Sequence, residues 1–172
     1  MTLDPAPSHA SSPAPSGGPT IRPDDLTDPR VLALISEHLA DMHSVTEDPA
    51  NVHALDVSAL RGDKVAFYTA WEGDETLLGM VAISSIDARN GEIKSLRTTT
   101  AARGKGVGRA LVRFLDTAAR ERGIATLWLE TGVEPEFLPA RKLYLSEGYV
   151  ECPAFGKYQD GVGSVFMKRE VA

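Results

Sequence analysis

With one cysteine, Cys152, among 172 residues, the chain cannot be stapled by internal disulfides. No run approaches the roughly 20 apolar residues that cross a bilayer, and the N-terminus carries neither the basic segment nor the apolar stretch of a secretion leader. These absences argue against a membrane protein and predict a home in the reducing cytoplasm. Positive charge is also short: 18 Lys and Arg against 24 Asp and Glu leave a net charge of −6. Nucleic-acid backbones bind concentrated basic surfaces, so that partner is not expected, whereas cationic partners such as amines suit the balance. His38 and His43 stand five apart, off the i, i+4 spacing that brings two ligands together, and no Cys-x-x-Cys accompanies them. No metal is expected.

Hydrophobic residues at 42 % and charged residues at 24 % are the mixture of an ordinary globular domain. Residues 1–19 hold five of the eleven prolines, with four Ser, three Ala and two Gly. That composition predicts a disordered tail before a single domain spanning 20–172.

From Thr20 the pattern becomes periodic. An edge strand over Thr20 to Pro23 leads to Asp28-Pro29, an N-cap and first helical residue. A helix over 29–43 follows, with Val31, Leu32, Leu34, Ile35, Leu39 and Met42 at three- and four-residue spacing. Residues 44–63 read as a loop with a short helix. Three strands, 64–71, 76–86 and 91–98, are joined by turn-formers. Helix 106–122, strand 125–130, helix 136–147 and strands 149–152 and 164–169 complete the order. Its sequence is β, α, β, β, β, α, β, α, β, β, which predicts an α/β (or α+β) mixed sheet flanked by helices.

Between a strand and a helix lies Arg103-Gly104-Lys105-Gly106-Val107-Gly108-Arg109. Glycines there let backbone N–H groups approach a ligand, and the helix dipole favours negative charge, so the turn is built for a pyrophosphate. A P-loop fails at two positions, Thr99 and Gly106, where a glycine and a hydroxyl are needed. The dinucleotide pattern Gly-x-Gly-x-x-Gly starts correctly and has Glu130 at the distance of a ribose acid, but Arg109 replaces its third glycine. The third reading is Arg/Gln-x-x-Gly-x-Gly/Ala, matched by Arg103, Gly106 and Gly108.

In that third form the turn resembles the acetyl-CoA pyrophosphate loop of the GNAT superfamily of N-acetyltransferases. Ala140-Arg141-Lys142-Leu143-Tyr144 through Gly148-Tyr149 is similar to the family's Ala-x-x-Leu-Tyr-x-x-x-Gly-Phe/Tyr segment, although Phe137 stands where the family commonly has asparagine. The closing run from Tyr149 to Met167, with Cys152, Phe155-Gly156, Tyr158 and Ser164-Val165-Phe166-Met167, resembles a subgroup of small bacterial members. The resemblance implies a mostly antiparallel sheet of about seven strands with about four helices, and acetyl transfer from acetyl-CoA directly to a primary amine, most simply of a small molecule. A protein or peptide acceptor and a non-catalytic acyl-CoA sensor are the alternatives, and a homodimer is a further expectation by analogy.

The resemblance also assigns roles. Residues 103–109 would hold the cofactor, Val107 while also packing its helix, and backbone groups of Leu96, Arg97 and Thr98 would meet its pantetheine arm. Glu92, eleven residues before Arg103, takes the place of a strand glutamate that serves as general base; its other reading is a strand-end carboxylate paired with Lys94, on the same face at period two. Tyr144 takes the place of the general acid, or of a core tyrosine. His43 and His53 flank the 44–63 segment that borders the acceptor in this layout, as substrate contacts or as ordinary loop histidines.

Overall fold

The computed structural model describes residues 17–161 and 163–171, so most of the tail expected to be disordered, residues 1–16, lies outside the described residues. Seven strands form one sheet in the order β1-β2-β3-β4-β5-β7-β6. They are β1 (Thr20–Pro23), β2 (Val65–Glu72), β3 (Thr76–Ser85), β4 (Asn90–Thr98), β5 (Thr126–Gly132), β6 (Val150–Cys152) and β7 (Ser164–Glu170). The helices are α1 (Pro29–Val45), α2 (Val57–Leu60), α3 (Val107–Glu121) and α4 (Leu138–Ser146). This is the mixed α/β architecture that the sequence predicts, down to the element order. No helix among the described residues is long and apolar enough to cross a membrane.

Local signals set the element ends. Asp28 accepts from the Arg30 backbone N–H at 2.8 Å, with Pro29 first in α1. Gly123, at φ +73°, takes the left-handed turn that stops α3. The sheet separates two apolar layers. Val107, Leu111, Leu115 and Tyr144 of α3 and α4 pack on Ile93, Leu127 and Leu129. On the other face Val31, Leu34 and Ile35 of α1 pack on Phe67, Met80 and Ala82.

Two irregularities in β4 create the space for a site. The pairing of β3 with β4 steps from Ala82↔Lys94 to Met80↔Arg97, so Val81 alone opposes Ser95 and Leu96. Ser95 sits at φ +56°, the left-handed conformation that absorbs the extra residue. Because side chains alternate with period two, the insertion inverts their phase, and Arg97 joins Glu92 and Lys94 on the α1 face. The second irregularity lies against β5, which runs parallel to β4 only from Asn90↔Thr126 to Ile93↔Leu129. Beyond that point β5 pairs only with β7, as far as Gly132↔Ser164. The strands therefore part, and the β5-facing edge of residues 94–98 has no strand partner among the described residues.

Candidate active site

A groove of about 950 Å³ opens where β4 and β5 separate, between the N-terminus of α3 and the face of α4. Its glycine turn is conformationally specific: Gly104 and Gly106 have φ +74° and +82°, and Gly106 caps α3. A Cβ on either would meet nothing within 4 Å. Their positive φ, and not packing, accounts for glycine here, and open space beside the unpaired N–H groups of a helix start is the kind of place that suits an anion. Gly108 differs, since a Cβ there would stand 3.3 Å from Leu143 Cδ2, a tight contact where α3 meets α4.

Leu96, Arg97, Thr98, Arg103, Gly104, Gly106, Val107, Gly108 and Arg109 all line this groove. Lys105 is exposed and does not line it. Two of the basic side chains already have partners. Arg109 donates to Glu147 at 2.7 Å and to Ser146 at 3.1 Å, and Arg97, 9 % exposed, is paired with Glu37 and Asp41 of α1 at 2.5 and 2.7 Å. The Arg97 guanidinium therefore ties β4 to α1, and its carbonyl faces β3, where a Cβ on Gly79 would stand 2.8 Å from it.

A second cavity, of about 190 Å³, adjoins the groove; Met42, Leu96, Arg97, Phe137 and Ala140 line both. Tyr144, His53, Lys94, Glu130 and His38 complete much of its wall. Tyr144 is 5 % exposed and meets Tyr149 edge-on at 5.4 Å. Burial, with Tyr149 beside it, holds its phenol well above the usual range, so the hydroxyl keeps its proton.

Glu92 stands just behind this cavity and not in its lining. Its Oε1 is 3.0 Å from Lys94 Nζ and also accepts from the Tyr158 hydroxyl. Lys94 in turn donates to Tyr158 Oη at 2.8 Å and to the His53 carbonyl at 3.1 Å. Both readings of Glu92 meet here: it is paired with Lys94, and its carboxylate is beside the cavity, only 12 % exposed. Tyr158 went without a role in the sequence; it lies in the long β6–β7 connection, 66 residues from Glu92, where no periodicity marks it. Burial, reinforced by Glu92, keeps its phenol protonated.

The two loop histidines part company. His53 lines the cavity, its ring edge-on to Tyr158 at 4.9 Å. His43 is corrected: it is exposed on the last turn of α1, with Nδ1 2.8 Å from the Leu39 carbonyl oxygen, and lies outside the cavity. At about 100° per residue, the stripe of α1 that faces the cavity is His38, Met42 and Thr46, and His43 has turned past it. Glu130, considered from sequence as a ribose-binding acid beside the glycine turn, lines the cavity instead and accepts from Ser164 Oγ at 2.7 Å. That placement removes the support for a dinucleotide fingerprint.

His38 has a measurable consequence. Burial, with Arg97 nearby and only Asp41 opposing, lowers it from the ordinary 6.5 to about 4. Below 6.5 the unfolded chain binds a proton that the folded protein refuses until about 4. Stability is thus complete above pH 6.5 and lost as the pH falls through this window. Of the loss between pH 7 and pH 4.5, roughly 2–3 kcal/mol belongs to this one group. Urea unfolding of His38→Gln at the two pH values should show a gap smaller by about that amount.

Comparison with known proteins fits this geometry. Residues 32–149 match the acetyltransferase (GNAT) family. The chain is 42 % identical over 151 residues to YsnE, an uncharacterized N-acetyltransferase of Bacillus subtilis, covering 88 % of this chain and 99 % of that one. Among solved structures, a Klebsiella pneumoniae protein described by its depositors as a candidate acyl-CoA N-acyltransferase superposes with a TM-score of 0.71 at 29 % identity, covering 90 % of this chain and 98 % of that one. An aminoglycoside 6'-N-acetyltransferase complexed with coenzyme A shares the fold, with a TM-score of 0.64 at 15 % identity over 89 % of this chain and 97 % of its own.

Proposed function

The chain belongs to the GNAT family of acetyltransferases, and on that premise we propose that it transfers acetyl from acetyl-CoA directly to the primary amine of a small molecule in the cytoplasm. One observation carries this reading: the groove at the glycine turn and the cavity holding Tyr144 share a wall at Leu96, Arg97 and Ala140. A donor lying along the groove would present its acyl end to that cavity. The groove fits acetyl-CoA in chemistry, with open space at Gly104 and Gly106 for phosphates and an unpaired strand edge for an amide-bearing arm. When bound, acetyl-CoA supplies an activated acetyl group as a thioester.

This chain's own residues position groups and handle protons. Backbone groups of Leu96 and Thr98, on the edge left open by β5, hydrogen-bond the donor and orient its carbonyl, while those of Arg97 face β3. Glu92 accepts the proton of the acceptor's ammonium through a bridging water, because Lys94 and Tyr158 flank its carboxylate. Tyr144 keeps a proton at its hydroxyl for the departing sulfur. The small cavity supports a small-molecule acceptor over a peptide.

Thermal unfolding with a thiol-release assay over primary amines tests the reading. Acetyl-CoA and CoA should raise the midpoint with concentration, the folded state gaining about 2.7 kcal/mol at 100 times Kd, while NAD should not, and thiol should appear only with amine present. Binding of CoA without turnover of any amine would instead favour the acyl-CoA sensor.

A further inference from the structure

The cavity's charge is unbalanced in a way that acetyl transfer to a simple amine does not use. Lys94 is spent on Glu92, and Arg97 on Glu37 and Asp41. Glu130 is left as a lining carboxylate with no ion pair among the described residues; its one hydrogen bond comes from Ser164 Oγ at 2.7 Å. Arg141, behind this wall, does not supply the missing charge, because its guanidinium donates to the carbonyls of Gly132 and Glu134. Burial, with Glu92 adding to it, raises the Glu130 carboxyl against the opposing effects of Ser164, His53 and Lys94. Desolvation is the largest cause, and Lys94, already paired with Glu92, offsets it only in part.

A second, independent observation marks the same cavity as a binding place. His38 is 8 % exposed and lines it, and its Nδ1 is buried with no hydrogen-bond partner. Buried polar atoms are ordinarily satisfied, and the ring, which already lines the cavity, gains a partner for this nitrogen only by turning it toward an occupant.

Resting on the amine-acetylation reading above, we propose that the acceptor is a small diamine, or an amine with a second cationic centre, and that Glu130 binds the charge that is not acetylated. Ser164 fixes one carboxylate oxygen and leaves the other for the ligand's ammonium. His38 meets a hydrogen-bonding group of the same molecule. The acetylated amine and the retained ammonium thus have separate carboxylates, Glu92 and Glu130. Both extend from the same sheet face, because β4 and β5 are in parallel register at Glu92↔Trp128 and Glu130 is two residues further along.

The test compares α,ω-diamines of three to six carbons with the matching monoamines, on the wild type, Glu130→Gln and Ser164→Ala. Thiol release gives kcat and KM, and calorimetric titration of each diamine into CoA-saturated protein gives binding without turnover. The wild type should favour the best diamine over its monoamine by at least tenfold in kcat/KM. Glu130→Gln should erase that preference by raising KM for the diamine 10- to 100-fold, the range for a charge-assisted contact, a larger rise than for the matching monoamine. Ser164→Ala should give a smaller loss in the same direction. CoA must still stabilise each variant, which separates a misfolded protein from one with an altered site. Equal handling of diamines and monoamines by the wild type, or diamine preference surviving in Glu130→Gln, would overturn the proposal. Glu130-dependent diamine binding without thiol release would uphold the cation site and sink the acetylation reading instead.

Discussion

Glu92→Gln should lower kcat for amine acetylation by roughly 10²- to 10⁴-fold, the usual contribution of a positioned general base, with CoA affinity unchanged. Glutamine preserves the shape and can still accept from Tyr158 through its amide oxygen, and Lys94 retains the Tyr158 hydroxyl and the His53 carbonyl. The fold should therefore hold while the proton acceptor is lost. Steady-state kinetics and CoA-induced thermal shifts decide it together. Unchanged turnover would return Glu92 to the role of a partner for Lys94 and Tyr158.

Gly106→Val should have the next largest effect, on cofactor affinity. A β-branched residue at φ +82° is strained by about 1–2 kcal/mol, and its methyl groups enter the open space in front of the first turn of α3. CoA affinity should fall about 10- to 100-fold, or roughly 1.4–2.8 kcal/mol. Gly123→Val is the matched control. Gly123 has a similar φ of +73° and an equally unobstructed Cβ direction, but it ends α3 at the opposite end from the groove. That variant should lose stability without losing CoA, as followed by urea unfolding and calorimetry. Equal loss of CoA affinity in both variants would mean that helix strain, and not intrusion at the turn, is responsible.

The parts of the fold that were legible in the sequence are those with local causes. Asp28-Pro29 starts α1 because a carboxylate and an N–H-free residue suit a helix start, and the turn at 103–109 announces itself by glycines that must adopt positive φ. Glu92 and Lys94 share a face because strands alternate. What the sequence hid depends on contacts between distant segments. Ser95 takes a conformation that favours glycine or asparagine, so nothing in its identity marks the bulge that turns Arg97 toward α1. Tyr158 gains its place from Glu92 and Lys94, far away in sequence, and Glu130 becomes a cavity residue only because β5 leaves β4 after Leu129. His43 and His53 look equivalent in sequence, and only the rotation of α1 distinguishes them.

The parting of β4 from β5 also bears on how the protein avoids unwanted association. An unpaired strand edge is a template on which another chain can add itself, and proteins commonly blunt such edges by making them short or by covering them. Here the two outer edges are short, four residues in β1, which ends at Pro23, and three in β6. The other open edge, residues 94–98, lies inside the sheet, at the bottom of a cleft walled by α3 and α4. A neighbouring β-strand needs a partner along a flat, accessible border, whereas a slender flexible chain can thread into a slot. Where the sheet is split thus decides which kind of guest its spare hydrogen bonds can accept.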